Sequence, residues 1–559
     1  MSARPWLDHY PAGVDWNAAI PVAPLHQLLT DAAARFPARP AYNFFGRRTT
    51  WRQAAEDAQH VAAGLQQLGF QPGDRIGLLL PNCPAYATMF FGTLMAGLVV
   101  VNFNPLYTAR ELEHQARDAK LSALVTLDLI ATYPKAAQLL AAGVVPGLIV
   151  CSFAGMLPTV KRALFRGLKK SEIAAIPSDG QHIWLSTLLV PGTPTPVPCD
   201  PHTTLAVLQY TGGTSGVPKG AMLSHANLYA NTMQGSQWFY RARPGQEVVM
   251  AAIPFFHVFA MTTVLLFSVF VAAEIVMLPR FELKTVVKTI SRTRPTFLPG
   301  VPTMFGAIAN FPGRARLGSI RYCISGGAPL PAEVKARFEA RTGCVVVEGY
   351  GLTETSPCVI SNPPDGLNKP GIGLPLPQTD ATLRDPADPS RIMPPGERGE
   401  LCLRGPQIMM GYWGRPAETA ESFTPDGYFR TGDIATMDED GYFAIVDRIK
   451  DLILAGGFNV YPRNVEDAIY QHPAVDECTV IGVPDAYRGE TVKAFVVLRS
   501  GAQLNANELC LFLKDYLSPI EMPKQVEFRA QLPKTLVGKL SKKELVAEER
   551  AKAGSPGSA

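Results

Sequence analysis

Tyr210-Thr211-Gly212-Gly213-Thr214-Ser215-Gly216-Val217-Pro218-Lys219-Gly220-Ala221 follows the apolar run Leu205-Ala206-Val207-Leu208 and precedes a helix-like stretch that begins near Ser224. The hydroxyl side chains of Thr211, Thr214 and Ser215 are interleaved with Gly212, Gly213 and Gly216, and Lys219 follows. Such a loop suits a polyphosphate. Glycines let backbone N–H groups turn inward around phosphate oxygens, hydroxyls add donors or a metal contact, and the lysine supplies positive charge. The usual nucleoside-triphosphatase loop needs Gly-Lys followed directly by Ser or Thr, whereas Pro218-Lys219-Gly220 stands here. Taken alone, the stretch also fits a glycine-rich surface turn.

Working outward, helices and strands alternate on both sides of the loop. Thr50 and Gln53 make a capping box, and Trp51, Ala54, Ala58, Val61, Ala62 and Leu65 recur at helical spacing before Gly69. Ile76 to Leu80 reads as a buried strand, Tyr86 to Gly97 as an apolar helix and Leu98 to Val101 as strand, and Thr108 with Glu111 caps a further helix. This alternation predicts an α/β fold with mixed, mostly parallel sheets covered by helices. A turn-rich stretch from Pro370 to Gly405 predicts a small β-rich subdomain. Beyond Asp447 the pattern changes to that of a small α+β domain. Its expected elements are helix Val465 to His472, strands Cys478 to Val483 and Val492 to Leu498, helix Ala506 to Leu517 and strand Gln525 to Phe528.

A chain of 559 residues is too long for one compact core, so several domains are expected. The net charge of +4, with no basic run interleaved with aromatics, argues against a nucleic-acid partner. Nine cysteines without close pairs suit reduced thiols in the cytoplasm. The N-terminal residues lack the apolar segment of a signal peptide. The uncharged run from Val258 to Ala273 is 16 residues, short of the ~20 that span a bilayer, and reads as a buried helix beside a ligand pocket.

Residues 153–173 combine Phe153, Met156, Leu157, Val160, Leu164 and Leu168, able to share a face, with Lys161, Arg162, Arg166, Lys169 and Lys170. Docking on an anionic membrane surface and packing as a solvated helix on the body of the protein are both open readings, and Pro158 interrupts either helix. Pro191 to Pro201 reads as a proline-rich linker within the large region.

Other motifs stand far from the loop in sequence. Ile324-Ser325-Gly326-Gly327-Ala328-Pro329-Leu330 is a strand-to-helix turn, and Glu348-Gly349-Tyr350-Gly351-Leu352-Thr353-Glu354-Thr355 is a glycine-rich turn bearing carboxylates. Tyr350 could lay its ring against a base, and Asp433 in Thr431-Gly432-Asp433 could meet sugar hydroxyls. Singly, each motif also reads as an ordinary turn, connector or surface ion pair.

In this order, YTGGTSGVPKGA, PFFHVFA, ISGGAPL, EGYGLTET, GYFRTGDIA, VDRIKDLILAGGFNVYP and LPKTLVGKL resemble the core motifs of the adenylate-forming superfamily over nearly the whole chain. NPLYTARELEHQ, GELCLRGPQIMMGYW and GGFNVYPRNVED look most like bacterial long-chain fatty-acid CoA ligases. The resemblance implies an adenylation domain over 1–447, a hinge at 448–451, a mobile C-terminal domain over 452–550 and a disordered tail at 551–559. It implies that a fatty acid attacks ATP to give an acyl-adenylate and pyrophosphate, and that CoA then displaces AMP. Thr211 and Glu354 would hold Mg²⁺, and Thr211, Gly212, Gly213, Thr214, Ser215, Gly216 and Lys219 the β- and γ-phosphates. Gly326, Gly327, Ala328, Tyr350, Gly351 and Thr353 would border the nucleotide, with Asp433 and Arg448 at the ribose.

Lys539 resembles the lysine that reaches the α-phosphate and the substrate carboxylate, and His257 a position near that carboxylate. Lys450 resembles the pivot between the two steps, and Gly456, Gly457 and Phe458 would border the pantetheine of CoA. Met261, Val264, Leu265 and Phe267 would suit an acyl-pocket wall. The superfamily often has Arg soon after the catalytic lysine, whereas Ser541-Lys542-Lys543 stands here, so a CoA-phosphate contact does not carry over. A cytoplasmic enzyme is expected; membrane contact through 153–173, on the inner face, and a homodimer are allowed by the sequence. The competing readings are an acyl-AMP ligase loading a carrier protein and a non-catalytic lipid-binding or uptake protein.

Overall fold

The computed structural model describes residues 4–211, 218–455, 458–485, 489–534 and 540–553. Two large sheets form the body. The eight-stranded sheet runs in the order Gly411–Tyr412, Gly220–Ser224, Leu205–Tyr210, Val99–Asn102, Arg75–Leu78, Ala123–Leu127, Leu148–Cys151, His182–Trp184. Its last six strands are parallel, and the first two are antiparallel additions. The nine-stranded sheet is parallel from Val346–Gly351 through Tyr322–Ser325, Phe297–Gly300, Val248–Ala251 and Glu274–Met277 to Pro40–Phe44, with antiparallel strands at both margins. Strands covered on both faces need continuous apolar runs, and Val99–Asn102 and Leu148–Cys151 are buried at every position.

The expected caps are present. Thr50 and Gln53 form a capping box on helix Trp51–Gln67, and Thr108 and Glu111 form one on Ala109–Ala119. Ser224 and Asn227 start helix His225–Trp238 in the same way, directly after the hairpin strand that follows the glycine loop. The proline-rich linker lies along helix Trp51–Gln67, where Thr195 exchanges hydrogen bonds with the Gln66 side chain at 2.8 and 2.9 Å.

The β-rich subdomain extends further than Pro370–Gly405: Asp380–Arg384, Gly399–Arg404, Phe429–Met437 and Phe443–Arg448 form a four-stranded antiparallel sheet. The C-terminal region has its own five-stranded sheet and its own core around Val465, Ile469, Val480 and Leu509. Helix Pro462–Tyr470 begins three residues before the expected start, and helix Ala506–Leu513 ends four before the expected end. The last helix, Lys542–Ala553, runs into the segment expected to be a tail from 551; residues 554–559 lie outside the described residues.

Residues 153–173 do not form one amphipathic face. Pro158 separates Phe153–Met156 from Thr159–Leu168. Leu157 is buried and Phe153, Met156 and Phe165 pack on the core, whereas Val160, Leu164 and Leu168 are 72%, 54% and 78% exposed. All nine cysteines are unpaired thiols.

Candidate active site

The glycine loop closes a hairpin between the strands Leu205–Tyr210 and Gly220–Ser224. Tyr210 pairs with Gly220, and the Thr211 N–H donates to the Lys219 carbonyl at 2.9 Å. Gly212, Gly213, Thr214, Ser215 and Gly216 lie outside the described residues, so the structure fixes the two ends of the cradle. One end is anchored by Tyr210, whose hydroxyl donates to Asp118 Oδ2 at 2.6 Å; Asp118 also pairs with Arg415 at 3.2 Å. At the other end Lys219 forms an ion pair with Glu418, its Nζ 5.1 Å from the Tyr412 ring centroid.

Glu354 reaches the same hairpin from the other large sheet. Strand Val346–Gly351 runs into the single turn Thr353–Thr355, which packs against Gly220–Ser224. Gly351 is required by space, since a Cβ there would lie 1.7 Å from the Pro357 carbonyl oxygen. The Tyr412 hydroxyl donates to Glu354 Oε1 at 2.7 Å, and Met409 N–H to the Glu354 carbonyl at 2.8 Å. Burial raises the Glu354 carboxyl above the ordinary range, and the Tyr412 hydrogen bond opposes that rise by favouring the anion. Tyr412 thus ties the expected metal carboxylate to the expected phosphate lysine.

Tyr350, Asp433 and Arg448 meet where the nine-stranded sheet abuts the four-stranded one. The Tyr350 hydroxyl donates to Asp433 Oδ2 at 2.6 Å, and Arg448 Nε lies 3.2 Å from Oδ1. Asp433 and Arg448 are direct cross-strand partners. Burial pushes the Tyr350 phenol well above its usual value, while Asp433 raises Arg448. Each carboxylate oxygen of Asp433 keeps a second lone pair, so these contacts orient the group and leave it able to accept from sugar hydroxyls.

The Gly326-Gly327-Ala328 turn faces His257. Gly327 has φ +83°, and a Cβ at Gly326 would lie 2.9 Å from the Phe259 ring. His257 and Gly327 line one small apolar cavity with Phe259, Ala260 and Val301, and His257 Nδ1 accepts from the Phe259 N–H at 3.3 Å. A larger apolar cavity lies between helix His225–Trp238 and the continuous helical run 258–270, which widens to a π-turn at Met261–Leu266. Phe267 lines it. Met261, Val264 and Leu265 do not: all three are fully buried on the other side of the helix, and Thr262 and Thr263 face the cavity instead. The helical period turns neighbours away from one another, which a uniformly apolar run conceals.

Lys450 sits in the short turn Ile449–Asp451 between the two regions, where burial holds its ammonium below the usual value. Lys539, Gly456 and Gly457 lie outside the described residues, as does the Phe458 side chain; the Phe458 backbone opens the strand Phe458–Val460. Lys534 and Leu540 form an antiparallel bridge on either side of the Lys539 segment. Among the described residues no group of three or more His, Cys, Asp or Glu side chains is arranged to hold a metal. Sequence reasoning gave no role to Tyr412, Glu418 or Asp118. Tyr412 belongs to the quoted GYW motif, whose placement between apolar residues offers no local sign of its partner.

The comparisons with known proteins fit this geometry. The AMP-binding enzyme family model matches residues 29–413, and the AMP-binding enzyme C-terminal domain model matches 464–539. The chain is 44% identical over 557 residues to a long-chain-fatty-acid–CoA ligase of Bacillus subtilis, covering 98% of this chain and 99% of that one. Among solved structures it resembles ATP-bound MatB from Rhodopseudomonas palustris with a TM-score of 0.82, at 30% identity over 94% of this chain and 98% of that one. Against apo MatB from the same organism the TM-score is 0.73, at 31% identity over 94% and 99%.

Proposed function

This chain belongs to the AMP-binding enzyme family, and from that premise we infer that it joins a long-chain fatty acid to CoA, using ATP and passing through an acyl-adenylate. It is an AMP-forming acid–thiol ligase, with ATP and CoA as its co-substrates. The observation that carries this reading is the end-to-end 44% identity to the Bacillus subtilis ligase, in a chain where Lys219, Glu354, Tyr350, Asp433 and Arg448 converge at the junction of the sheets.

In the first step a carboxylate attacks the α-phosphate, so two anions must approach. The loop from Thr211 to Lys219 grips the β- and γ-phosphates through backbone donors and the lysine ammonium. Tyr350 and the Gly326-Gly327-Ala328 turn border the adenine, and Asp433, oriented by Tyr350 and Arg448, accepts from the ribose. His257, in the lining of its cavity, positions the substrate carboxylate. The Thr211 hydroxyl and the Glu354 carboxylate are hard oxygen donors suited to Mg²⁺, an ion that takes one or two protein ligands and fills its shell with phosphate and water. Bound there, it would neutralise charge on the phosphates. Lys539 donates to the developing charge on the α-phosphate. In the second step the C-terminal domain turns about Lys450, bringing Gly456, Gly457 and Phe458 beside the pantetheine.

The apolar cavity beside helix His225–Trp238 receives the acyl chain. Each buried methylene contributes ~0.8 kcal/mol, so such a cavity selects by length. Incubation with ATP and carboxylic acids from short to very long, following pyrophosphate release and then thioester formation with CoA or a carrier protein, tests the reading. Pyrophosphate release with long-chain acids followed by CoA thioester formation is expected. No release with any acid would favour a lipid-binding protein, and acylation of the carrier alone would favour an acyl-AMP ligase.

We place the enzyme in the cytoplasm, in reversible contact with the inner face of the membrane; no described helix is long and apolar enough to cross one. The exposed stripe Val160, Leu164 and Leu168, flanked by Lys161, Arg166, Lys169 and Lys170, supports this contact. Each basic residue near an anionic leaflet contributes about 1 kcal/mol. Sedimentation with anionic liposomes should be salt-sensitive, and should weaken in Leu164→Ser; absence of any salt-sensitive binding would overturn it. A homodimer is a further proposal, read by light scattering.

A further inference from the structure

Helix Pro462–Tyr470, the first helix of the C-terminal domain, starts without a cap of its own: the residue before it, Tyr461, makes no side-chain capping bond. The missing acceptor comes from across the hinge. Asp447 lies on Phe443–Arg448, the last strand of the large region, and its Oδ2 accepts the Arg463 N–H in the helix's first turn at 2.9 Å. Its Oδ1 accepts the Arg448 N–H at 2.8 Å. The side chain is 6% exposed. A carboxylate at a helix N-terminus satisfies an orphan donor and complements the helix dipole, a contribution that persists only while helix and carboxylate stay together.

A second group of the small domain adds positive charge in the neighbourhood of the same carboxylate. Lys542, at the start of helix Lys542–Ala553, pairs with Glu466 on helix Pro462–Tyr470 at 2.9 Å. Burial alone would lower the Lys542 ammonium, but Glu466 and then Asp447 raise it. Lys542 stands three residues beyond Lys539 and is therefore carried by the same stretch of chain as the adenylation lysine. Further contacts cross between the regions, Arg499 to Glu333 at 2.6 Å and Arg398 over the Tyr461 ring at 4.3 Å; both involve exposed side chains and are individually weak. The Asp447 contact is the buried one. Over the whole chain the TM-score is 0.82 against the ATP-bound form of MatB and 0.73 against the apo form.

We propose that Asp447 is a positioning residue for adenylation: by capping helix Pro462–Tyr470 across the hinge, it holds the C-terminal domain in the orientation that presents Lys539 to ATP. Rotation about Lys450 withdraws the helix and breaks the cap, so Asp447 favours the first half-reaction and opposes passage to the second. This rests on the two-step reading of the site.

The test separates the half-reactions in the full-length enzyme. Fatty-acid-dependent pyrophosphate exchange reports the first, and thioester formation from supplied acyl-adenylate and CoA reports the second. Loss of a charged cap should lower the exchange rate of Asp447→Ala about tenfold, with the KM for ATP unchanged and the second half-reaction retained or faster. Asp447→Asn, which keeps an acceptor oxygen, should recover part of the loss. Lys542→Met, which does not touch Arg448, should shift the balance in the same direction and serves if Asp447→Ala does not fold. Equal loss in both half-reactions, a raised KM for ATP as the sole change, or no change would overturn the proposal. A wild-type enzyme without pyrophosphate exchange would instead overturn the two-step reading itself.

Discussion

Glu354 shows how much of a residue's chemistry lies in its neighbours. Burial raises its carboxyl, and the only described side-chain donor to it is Tyr412, whose hydroxyl favours the ionised form. Removing that hydroxyl should raise the Glu354 pKa further, so that the anion needed beside Mg²⁺ is lost at higher pH. Tyr412→Phe is therefore expected to move the acid limb of the pyrophosphate-exchange profile upward and to slow exchange at neutral pH by about tenfold, the worth of one hydrogen bond to a charged group. An unshifted limb would separate Tyr412 from Glu354. Lys539 belongs to the same scale: a positioned donor for developing charge is worth about 2.7–4 kcal/mol, so Lys539→Ala should slow adenylation by roughly 10²–10³. Normal exchange in that variant would remove it from the mechanism. The residue types were legible because glycines, hydroxyls and carboxylates occur in a recognisable order. Their pairings were not, since Tyr412 lies 58 residues from Glu354 and nothing local to either names the other.

At the scale of elements, caps and periods carried well and uniform apolar runs carried poorly. The boxes Thr50/Gln53 and Thr108/Glu111 fix helix starts by short-range hydrogen bonds, and both are present as read. The run from Val258 to Ala273 contains no polar face to mark its orientation, so the sequence does not tell Met261, Val264 and Leu265, which face away from the cavity, from Thr262, Thr263 and Phe267, which line it. Helix His225–Trp238 supplies the opposite wall, and Gly235 on it has open space where a Cβ would be. If this cavity takes the acyl chain, Gly235→Leu fills part of it. The variant should lose activity on the longest acids while keeping it on shorter ones, by about fourfold for each methylene displaced at ~0.8 kcal/mol. A panel of acids compared by kcat/KM would read this directly. A uniform loss at all lengths would place the acyl chain elsewhere.

At the scale of the molecule, the two large sheets meet so that the hairpin of one and the strand-end turns of the other share a single junction. Sequence reading supplied the pieces in order, but the junction depends on long-range packing between Gly220–Ser224 and Thr353–Thr355, which no local pattern encodes. The C-terminal domain poses the remaining question, because one small domain must serve two chemical steps. Its link to the body narrows to Ile449–Asp451, with Lys450 in the middle, while on the preceding strand Asp447 accepts from the C-terminal helix and Arg448 pairs with Asp433 of the body. A rotation is least obstructed where backbone dihedrals can change without breaking a sheet, and this turn is such a place. Proline at 450 fixes φ and removes the N–H, a restriction of about 3 kcal/mol against any state that needs another conformation there. Lys450→Pro should therefore leave pyrophosphate exchange near the wild-type rate while slowing thioester formation by about a hundredfold. Equal loss in both half-reactions would mean that the domain does not turn at this residue.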